Sequence, residues 1–207
     1  MAKNKNHFYA IWLVLACIIF FILQNLITGF TDALLLNESA LIEPWRFISA
    51  IFLHGSLTHL VYNLFALGLF GLILESIIGS RKFLLVFFVS GILANFLASP
   101  FYNSSLGASG AIMGIIGCLT FIKPKMTVWA FSLPMPLFLA AFFWVAGDIF
   151  GVFIPDNVGH IAHLSGIAFG LILGIVFRTQ IKIKERQNYK LELPERQIQV
   201  WEDTYMR

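Results

Sequence analysis

Charged side chains are scarce in this chain of 207 residues, where Asp, Glu, Lys and Arg together make up only 12%. Soluble globular domains carry roughly 25%, so the composition excludes an ordinary soluble fold. Cysteine is scarce too: Cys17 and Cys118 are the only two, and both lie within apolar runs. We interpret them as buried packing thiols that carry no information on the redox compartment. Apolar residues, in contrast, make up 58% of the sequence, with 22 Phe among them.

The apolar residues fall into six runs, each close to the roughly 20 residues that a helix needs to cross a bilayer core. The first run is too long for a signal peptide and lacks a cleavage site of small residues, so we interpret it as a retained span. Residues 1–178 are expected to form the membrane domain, and residues 179–207 a charged, partly disordered cytoplasmic tail. We therefore predict an all-α polytopic membrane protein, a six-transmembrane-helix bundle with spans at residues 8–30, 50–77, 83–101, 107–122, 127–150 and 157–177.

The fifth run contains Pro134 and Pro136, which leaves two alternatives for its helix. Proline removes a backbone donor and clashes with the preceding turn. Either the helix begins near Pro136, or it is kinked there while neighbouring helices satisfy the freed carbonyl groups.

The distribution of basic residues predicts the orientation. Thirteen of the 14 Lys and Arg precede the first span or follow the second, fourth or sixth span. Lys3 and Lys5 are the two at the N-terminus. Since cytoplasmic connections are enriched in Lys and Arg, we expect an integral protein of the cell membrane with both termini in the cytoplasm. The opposite connections contain one basic residue, Arg46, and the acidic residues Asp32, Glu38, Glu43, Asp148 and Asp156.

A serine flanked by glycines opens the fourth span, in the segment Gly107-Ala108-Ser109-Gly110. Small residues at helical spacing serve close helix packing, and a serine joins such a face readily. Ser109, however, lies about 105° around the helix from the centre of the glycines that follow it. Helix packing alone therefore does not explain why a serine lies at position 109.

The sixth span has a glycine face that contains a histidine. Gly159, His163, Gly166, Gly170 and Gly174 fall within an arc of about 80°. Another helix must approach this face, and His163 points into the contact. His160 lies about 80° off the centre of the face, so His163 is the preferred buried base. A packing histidine bonded to a backbone carbonyl is the alternative.

His59 and Asn63 lie four residues apart on one face of the second span. With Ser109 and His163 they share a similar depth on the outer side, and polar groups at such a depth are costly and mark function. A serine beside a general base becomes a nucleophile, and neighbouring donors stabilise the oxyanion of acyl transfer. A zinc site built from His54, His59 and His163 is less favoured, because the HExxH arrangement is absent.

These residues, in this order and on these spans, resemble the rhomboid family of intramembrane serine proteases. The resemblance covers the chain from Glu43 to about Gly174. Its motifs are Glu43-Pro44-Trp45-Arg46, the H-x4-H-x3-N spacing of His54, His59 and Asn63, Glu75 with Gly79-Ser80, the G-x-S-G segment around Ser109, and His163-x-x-Gly166-x-x-x-Gly170.

The resemblance implies Ser109 as nucleophile and His163 as general base, with no third carboxylate required. It implies oxyanion stabilisation by His59, Asn63 and the Ser109 backbone N–H, and a lateral gate formed by the fifth helix and the loop after it. Glu75 is expected to pair with Arg81 or Lys82. Structural support is implied for Gly107, Gly110, His54, Trp45, Arg46, Gly166 and Gly170.

The chain departs from many members of the family at Met113, where they carry an aromatic residue that stacks on the catalytic imidazole. Because a thioether also packs on aromatic rings, we expect altered support of His163 rather than loss of activity.

We therefore predict an intramembrane endopeptidase that cleaves transmembrane segments of other membrane proteins near the outer face. Its expected partners are these substrates and the lipid bilayer, with no nucleic acid, no metal and no cofactor. The alternative is a non-enzymatic membrane chaperone or helix-binding protein with the same bundle. A channel or transporter is less favoured, because the polar residues cluster on one side and the two halves show no inverted repeat.

Overall fold

Six apolar helices dominate the computed structural model, which describes residues 8–154, 156 and 158–206. The helices α4 and α5 are shorter than the others, while the remaining four, counting His160–Ile181 for α6, are long and apolar enough to cross a membrane. The predicted all-α polytopic membrane fold is therefore confirmed. Three of the basic residues that predict the orientation, Lys3, Lys5 and Arg207, lie outside the described residues. The bounds are α1 (Tyr9–Leu26), α2 (Leu57–Ile78), α3 (Ser80–Ala98), α4 (Ser109–Ile122), α5 (Leu137–Gly151) and α6 (His160–Tyr205).

The connection between α1 and α2 has its own local structure, so α2 begins at Leu57 and not at the predicted residue 50. The Ser56 hydroxyl accepts a hydrogen bond from the His59 N–H and caps the helix there. Within α2, residues Leu67–Gly71 form a wide π-helical turn. The connection contains short helices at Phe30–Leu34, Glu38–Leu41, Arg46–Ser49 and Ala50–Phe52, and a strand β1 (Leu36–Asn37) that pairs antiparallel with β2 (Ser104–Ser105).

Arg46 holds this connection together. Its guanidinium pairs with Glu43 and donates hydrogen bonds to the carbonyl oxygens of Asp32 and Leu35, each at 2.8 Å. The side chain of Arg46 is buried, and a buried guanidinium needs such partners. These contacts support a structural role for Arg46.

The segment before α5 is a β-hairpin, so the helix α5 begins at Leu137, whereas the predicted fifth span begins at residue 127. Strands β3 (Thr127–Ala130) and β4 (Leu133–Pro136) pair antiparallel. The turn residues Phe131 and Ser132 have φ values of 53° and 62°, the left-handed conformation that a tight two-residue hairpin turn requires. Of the two alternatives that the prolines allowed, a helix that begins near Pro136 is confirmed.

The central helix α4 packs against α6 along glycines of both helices. Every residue from Gly110 to Leu119 is buried. A Cβ atom at Gly166 would overlap the carbonyl group of Gly110, and one at Gly170 would overlap the carbonyl group of Gly114. Glycine allows this close approach of two backbones. The contact brings the first turns of α4 and α6 together.

Glu75 stabilises the start of α1, so the predicted pairing with Arg81 or Lys82 is wrong. Its fully buried carboxylate accepts hydrogen bonds from the backbone N–H groups of Tyr9 and Ala10, both at 2.9 Å, and from the Ser80 hydroxyl at 2.6 Å. The first N–H groups of a helix have no acceptor within the helix, and a negative charge is favourable there. The carboxylate of Glu75 therefore finds its partners at the start of α1 and does not need a basic side chain.

The charged tail continues α6 as a helix to Tyr205, in contrast to the partial disorder that we expected. Its Lys, Arg, Glu and Gln residues have high helix propensity, which favours extension of an existing helix. The start of the tail is anchored to the bundle, because Arg178 donates a hydrogen bond to the Phe121 carbonyl at 3.0 Å and Lys82 donates one to Gln180 at 2.7 Å.

Candidate active site

The polar residues singled out in the sequence line one cavity of about 1220 Å³ at the end of the bundle where α4 and α6 begin. Ser109 comes from α4, His163 from α6, and His59 and Asn63 from α2. Three helices therefore bring together the four side chains that the sequence analysis placed at a similar depth.

Ser109 is the first residue of α4. Two residues before it, Gly107 leaves space for the His59 side chain of α2. Gly107 has a φ of 131°, and its N–H donates a hydrogen bond to the Ala50 carbonyl at 2.9 Å. A Cβ atom at Gly107 would lie 2.7 Å from Cε1 of His59 and 3.8 Å from Oγ of Ser109. The imidazole of His59 and the hydroxyl of Ser109 thus converge on the backbone of Gly107. The Ser109 N–H, in the first turn, has no acceptor within its helix.

Asn63 places an unsatisfied amide at the cavity wall. The residue is buried, yet its Nδ2 has no hydrogen-bond partner among the described residues. Buried polar atoms are rarely left without a partner, and each exception calls for an explanation. A donor kept for a bound substrate is one such explanation.

His163 has one ring nitrogen engaged and one free. Its Nδ1 lies 3.0 Å from Oδ1 of Asp148, which belongs to the last turn of α5. Within the described part of the chain, no hydrogen bond involves Nε2 of His163, and none joins its ring to the Ser109 hydroxyl. An ionised carboxylate can only accept a hydrogen bond, so a neutral His163 ring in this contact would have its proton on Nδ1 and its lone pair on Nε2.

His160 has both ring nitrogens engaged. Its Nδ1 lies 2.7 Å from the same Oδ1 of Asp148, and its Nε2 lies 3.1 Å from Oδ2 of Asp156. The ring is buried against Gly151, where a Cβ atom would overlap it. A histidine held in this way has no free nitrogen to accept a proton from a serine, which supports the choice of His163.

Asp148, His160 and His163 could also hold a metal ion, since their ligand atoms all lie within 4.8 Å of one another. Two imidazoles and a carboxylate suit zinc. This group differs from the His54, His59 and His163 set that we considered in the sequence. The hydrogen bonds of this group already engage both ring nitrogens of His160, Nδ1 of His163 and Oδ1 of Asp148.

His54 is buried beside the cavity and supports the ring of His59. The two ring centroids lie 5.1 Å apart at an interplanar angle of 63°. Gln24 brackets the backbone of His54, since its amide accepts from the His54 N–H at 2.9 Å and donates to the His54 carbonyl at 3.3 Å. Trp45 is half exposed, and Met113 is buried on α4 one turn after Ser109. The packing of the Met113 thioether on His163 stays a prediction.

Asp148 is the residue of the site that the sequence did not single out. Its charge was counted with the outer connections, whereas the structure places it inside an apolar helix with 8% of its surface exposed. A carboxylate within an apolar helix is costly and marks function by default, and that signal was present in the sequence.

Comparison with known proteins identifies relatives over this part of the chain. The family profile of the Rhomboid domain matches residues 42–180. The chain is 29% identical to rhomboid protease GlpG of Haemophilus influenzae over 170 residues, which cover 77% of this chain and 85% of that protein. It is 31% identical to rhomboid protease GlpG of Klebsiella pneumoniae subsp. pneumoniae over 175 residues, 79% of this chain and 61% of that protein. It is 30% identical to the mitochondrial RHOMBOID-like protein 6 of Arabidopsis thaliana over 140 residues, 67% of this chain and 45% of that protein.

Proposed function

Because this chain belongs to the rhomboid family, we propose that it is an intramembrane serine endopeptidase that cleaves transmembrane segments of other membrane proteins. The Rhomboid domain includes all four polar residues of the cavity. The observation that carries the proposal is the free Nε2 of His163 in the same cavity as the Ser109 hydroxyl, next to the unsatisfied amide of Asn63.

The proposed reaction is acyl transfer to Ser109 followed by hydrolysis. The Ser109 Oγ attacks the carbonyl carbon of the scissile peptide bond while Nε2 of His163 takes the hydroxyl proton. His59, Asn63 and the Ser109 N–H stabilise the oxyanion of the tetrahedral intermediate. His163 then gives its proton to the departing amine, and an acyl-enzyme remains.

Water completes the cycle. His163 takes a proton from a water molecule as its oxygen attacks the acyl carbon, and a second tetrahedral intermediate forms. Its collapse returns the proton to Oγ of Ser109 and releases the new carboxyl terminus. The reaction uses no metal and no cofactor.

The proposed site opens to the outer face of the cell membrane, with both termini in the cytoplasm. The distribution of basic residues supports this orientation. Since a helix hides its peptide bonds, the favoured substrates unwind readily near that face. Gly, Pro or polar residues near the scissile bond, and a small residue before it, would assist. The α5 helix, which leaves Phe142 and Phe150 exposed, forms the lateral gate for substrate entry.

Labelling of the purified protein with a fluorophosphonate probe, together with cleavage of a transmembrane peptide, tests the proposal. Ser109→Ala and His163→Ala should each lower cleavage by about 10³-fold or more and abolish labelling, with the fold retained. Ser99→Ala is a matched control, because the Ser99 hydroxyl donates to the Phe96 carbonyl at 2.9 Å and Ser99 is not among the described residues that line the cavity. Full cleavage by Ser109→Ala would refute the proposal. An unlabelled wild-type protein that still binds transmembrane helices would favour the non-enzymatic alternative.

A further inference from the structure

The buried carboxylate of Asp148 contacts both histidines of α6. One oxygen, Oδ1, lies 2.7 Å from Nδ1 of His160 and 3.0 Å from Nδ1 of His163. The resemblance to the rhomboid family implied a serine and a histidine with no carboxylate behind them. In this chain the Asp148 carboxylate lies beside the His163 nitrogen that is distal to the reaction, the place of the carboxylate in a Ser-His-Asp triad.

We propose that Asp148 is a positioning residue for the general base, which orients the His163 ring and fixes its tautomer so that Nε2 accepts the Ser109 proton. The inference rests on the proposed function of Ser109 and His163. A carboxylate that accepts a hydrogen bond from one ring nitrogen leaves the lone pair on the other. The same carboxylate stabilises the imidazolium that forms when the serine proton is transferred.

A purely structural bond between α5 and α6 would not need this arrangement. His160 alone, with Nδ1 on Asp148 and its ring packed against Gly151, already joins the two helices. The second bond of Asp148 goes to the one histidine whose other nitrogen is free. That bond supplies little to helix packing that His160 does not supply, but it determines which nitrogen of His163 can act as a base.

Asp156 contacts His160 from the side opposite Asp148, with 3.1 Å between Nε2 of the ring and Oδ2 of the carboxylate. Hydrogen bonds from the Val158 N–H and from the His160 ring hold the pKa of Asp156 below its usual range, so it stays a carboxylate acceptor. His160 therefore lies between two carboxylates, and Oδ1 of Asp148 is directed to the adjacent Nδ1 of His163.

Two measurements test the role of Asp148. The first needs no variant: nitrogen NMR of the protein labelled with ¹⁵N-histidine, with His163 assigned by its substitution, reports the tautomer under mildly alkaline conditions. We expect the proton on Nδ1. A proton on Nε2 of His163 would overturn the inference, whatever the fate of any Asp148 variant.

The second measurement is the kinetics of fluorophosphonate labelling in Asp148→Asn. We expect the maximal labelling rate to fall about 10- to 100-fold, the loss of a hydrogen bond to a charged group, with the half-saturating probe concentration unchanged. Asp148→Glu, which keeps a carboxylate, should recover part of the rate. Asp32→Asn, the same change at an exposed residue of the first connection, should label like wild type.

The outcomes separate this inference from the proposed function. Wild-type protein that does not label contradicts the serine protease mechanism itself. Wild-type protein that labels at Ser109, with Asp148→Asn folded and equally fast, contradicts only the role of Asp148. A rate loss matched by an equal loss of thermal stability, with no recovery in Asp148→Glu and the proton of His163 on Nε2, would assign Asp148 to folding alone and overturn the inference.

Discussion

Substitution of Gly166 by alanine should slow catalysis strongly in a protein that still folds. The new Cβ atom would lie 2.9 Å from the carbonyl carbon of Gly110 and overlap the oxygen of the same group. Carbon atoms pack at about 3.5–4.0 Å, so the contact with the carbonyl carbon alone moves α6 away from α4 by about 0.6–1.1 Å, and the closer oxygen requires a larger movement. Both contacts are with backbone, so side-chain rotation cannot relieve them.

The displacement separates the catalytic groups because Gly166 lies one turn after His163 and Gly110 directly follows Ser109. A misplacement of about 1 Å at a reacting group can cost about 10²-fold in rate. Overpacking of this kind typically costs about 1–3 kcal/mol of stability, which a bundle of six helices can tolerate. We therefore expect Gly166→Ala to fold and to cleave a transmembrane peptide about 100-fold more slowly.

The assay compares kcat/KM for a fluorescent transmembrane peptide in detergent with thermal unfolding of the same preparations. Gly68→Ala in α2 is the matched control, since a Cβ atom there would meet nothing within 4 Å. It should cleave at about the wild-type rate, because alanine also favours the helix. A folded Gly166→Ala with wild-type kcat/KM, or an equal loss in Gly68→Ala, would refute the reasoning.

Two further substitutions test the cavity wall and the start of the first helix. Asn63→Ala should lower kcat by about 10²–10³-fold with little change in KM, because it removes a donor to the oxyanion. Steady-state cleavage measures this, with the exposed Asn25→Ala on α1 as control, and an unchanged kcat would remove Asn63 from the site. Glu75→Ala should destabilise the protein by about 2–4 kcal/mol, because the buried N–H of Ala10 loses its acceptor. Denaturant unfolding checks this against the exposed Glu38→Ala, and equal stability of the two variants would contradict the capping role.

The grouping of Ser109, His163, His59 and Asn63 could be predicted from the sequence because it rests on depth. Span order and the placement of basic residues put all four on one side of the bundle, and helical periodicity chose His163 over His160. The structure brings the four into one cavity and gives a reason for that choice in the two engaged nitrogens of His160. Helical periodicity and the placement of charged residues are properties of neighbouring residues, so they can be read from a single sequence.

Contacts between distant segments were beyond such patterns. The sequence offers Arg81 and Lys82 as neighbours of Glu75, but backbone N–H groups at the start of α1 satisfy the carboxylate. Every residue except proline has a backbone N–H group, so the sequence does not indicate which of these groups will bond a distant carboxylate. Asp148 was missed because its position near the end of an apolar run allowed it to be assigned to a connection. The helices α2 and α5 begin later than residues 50 and 127 for a related reason, since apolar residues also occur in the short helices and the hairpin that precede them.

The capping of α1 by Glu75 sets an order of events during biosynthesis. Ala10 and Glu75 are 65 residues apart in the chain. At about 5–20 residues per second, a ribosome needs about 3 to 13 s to add that length. During this interval the carboxylate that accepts from the Tyr9 and Ala10 N–H groups is not yet part of the chain. The first turn of α1 therefore gains these acceptors only after the end of α2 has been synthesised.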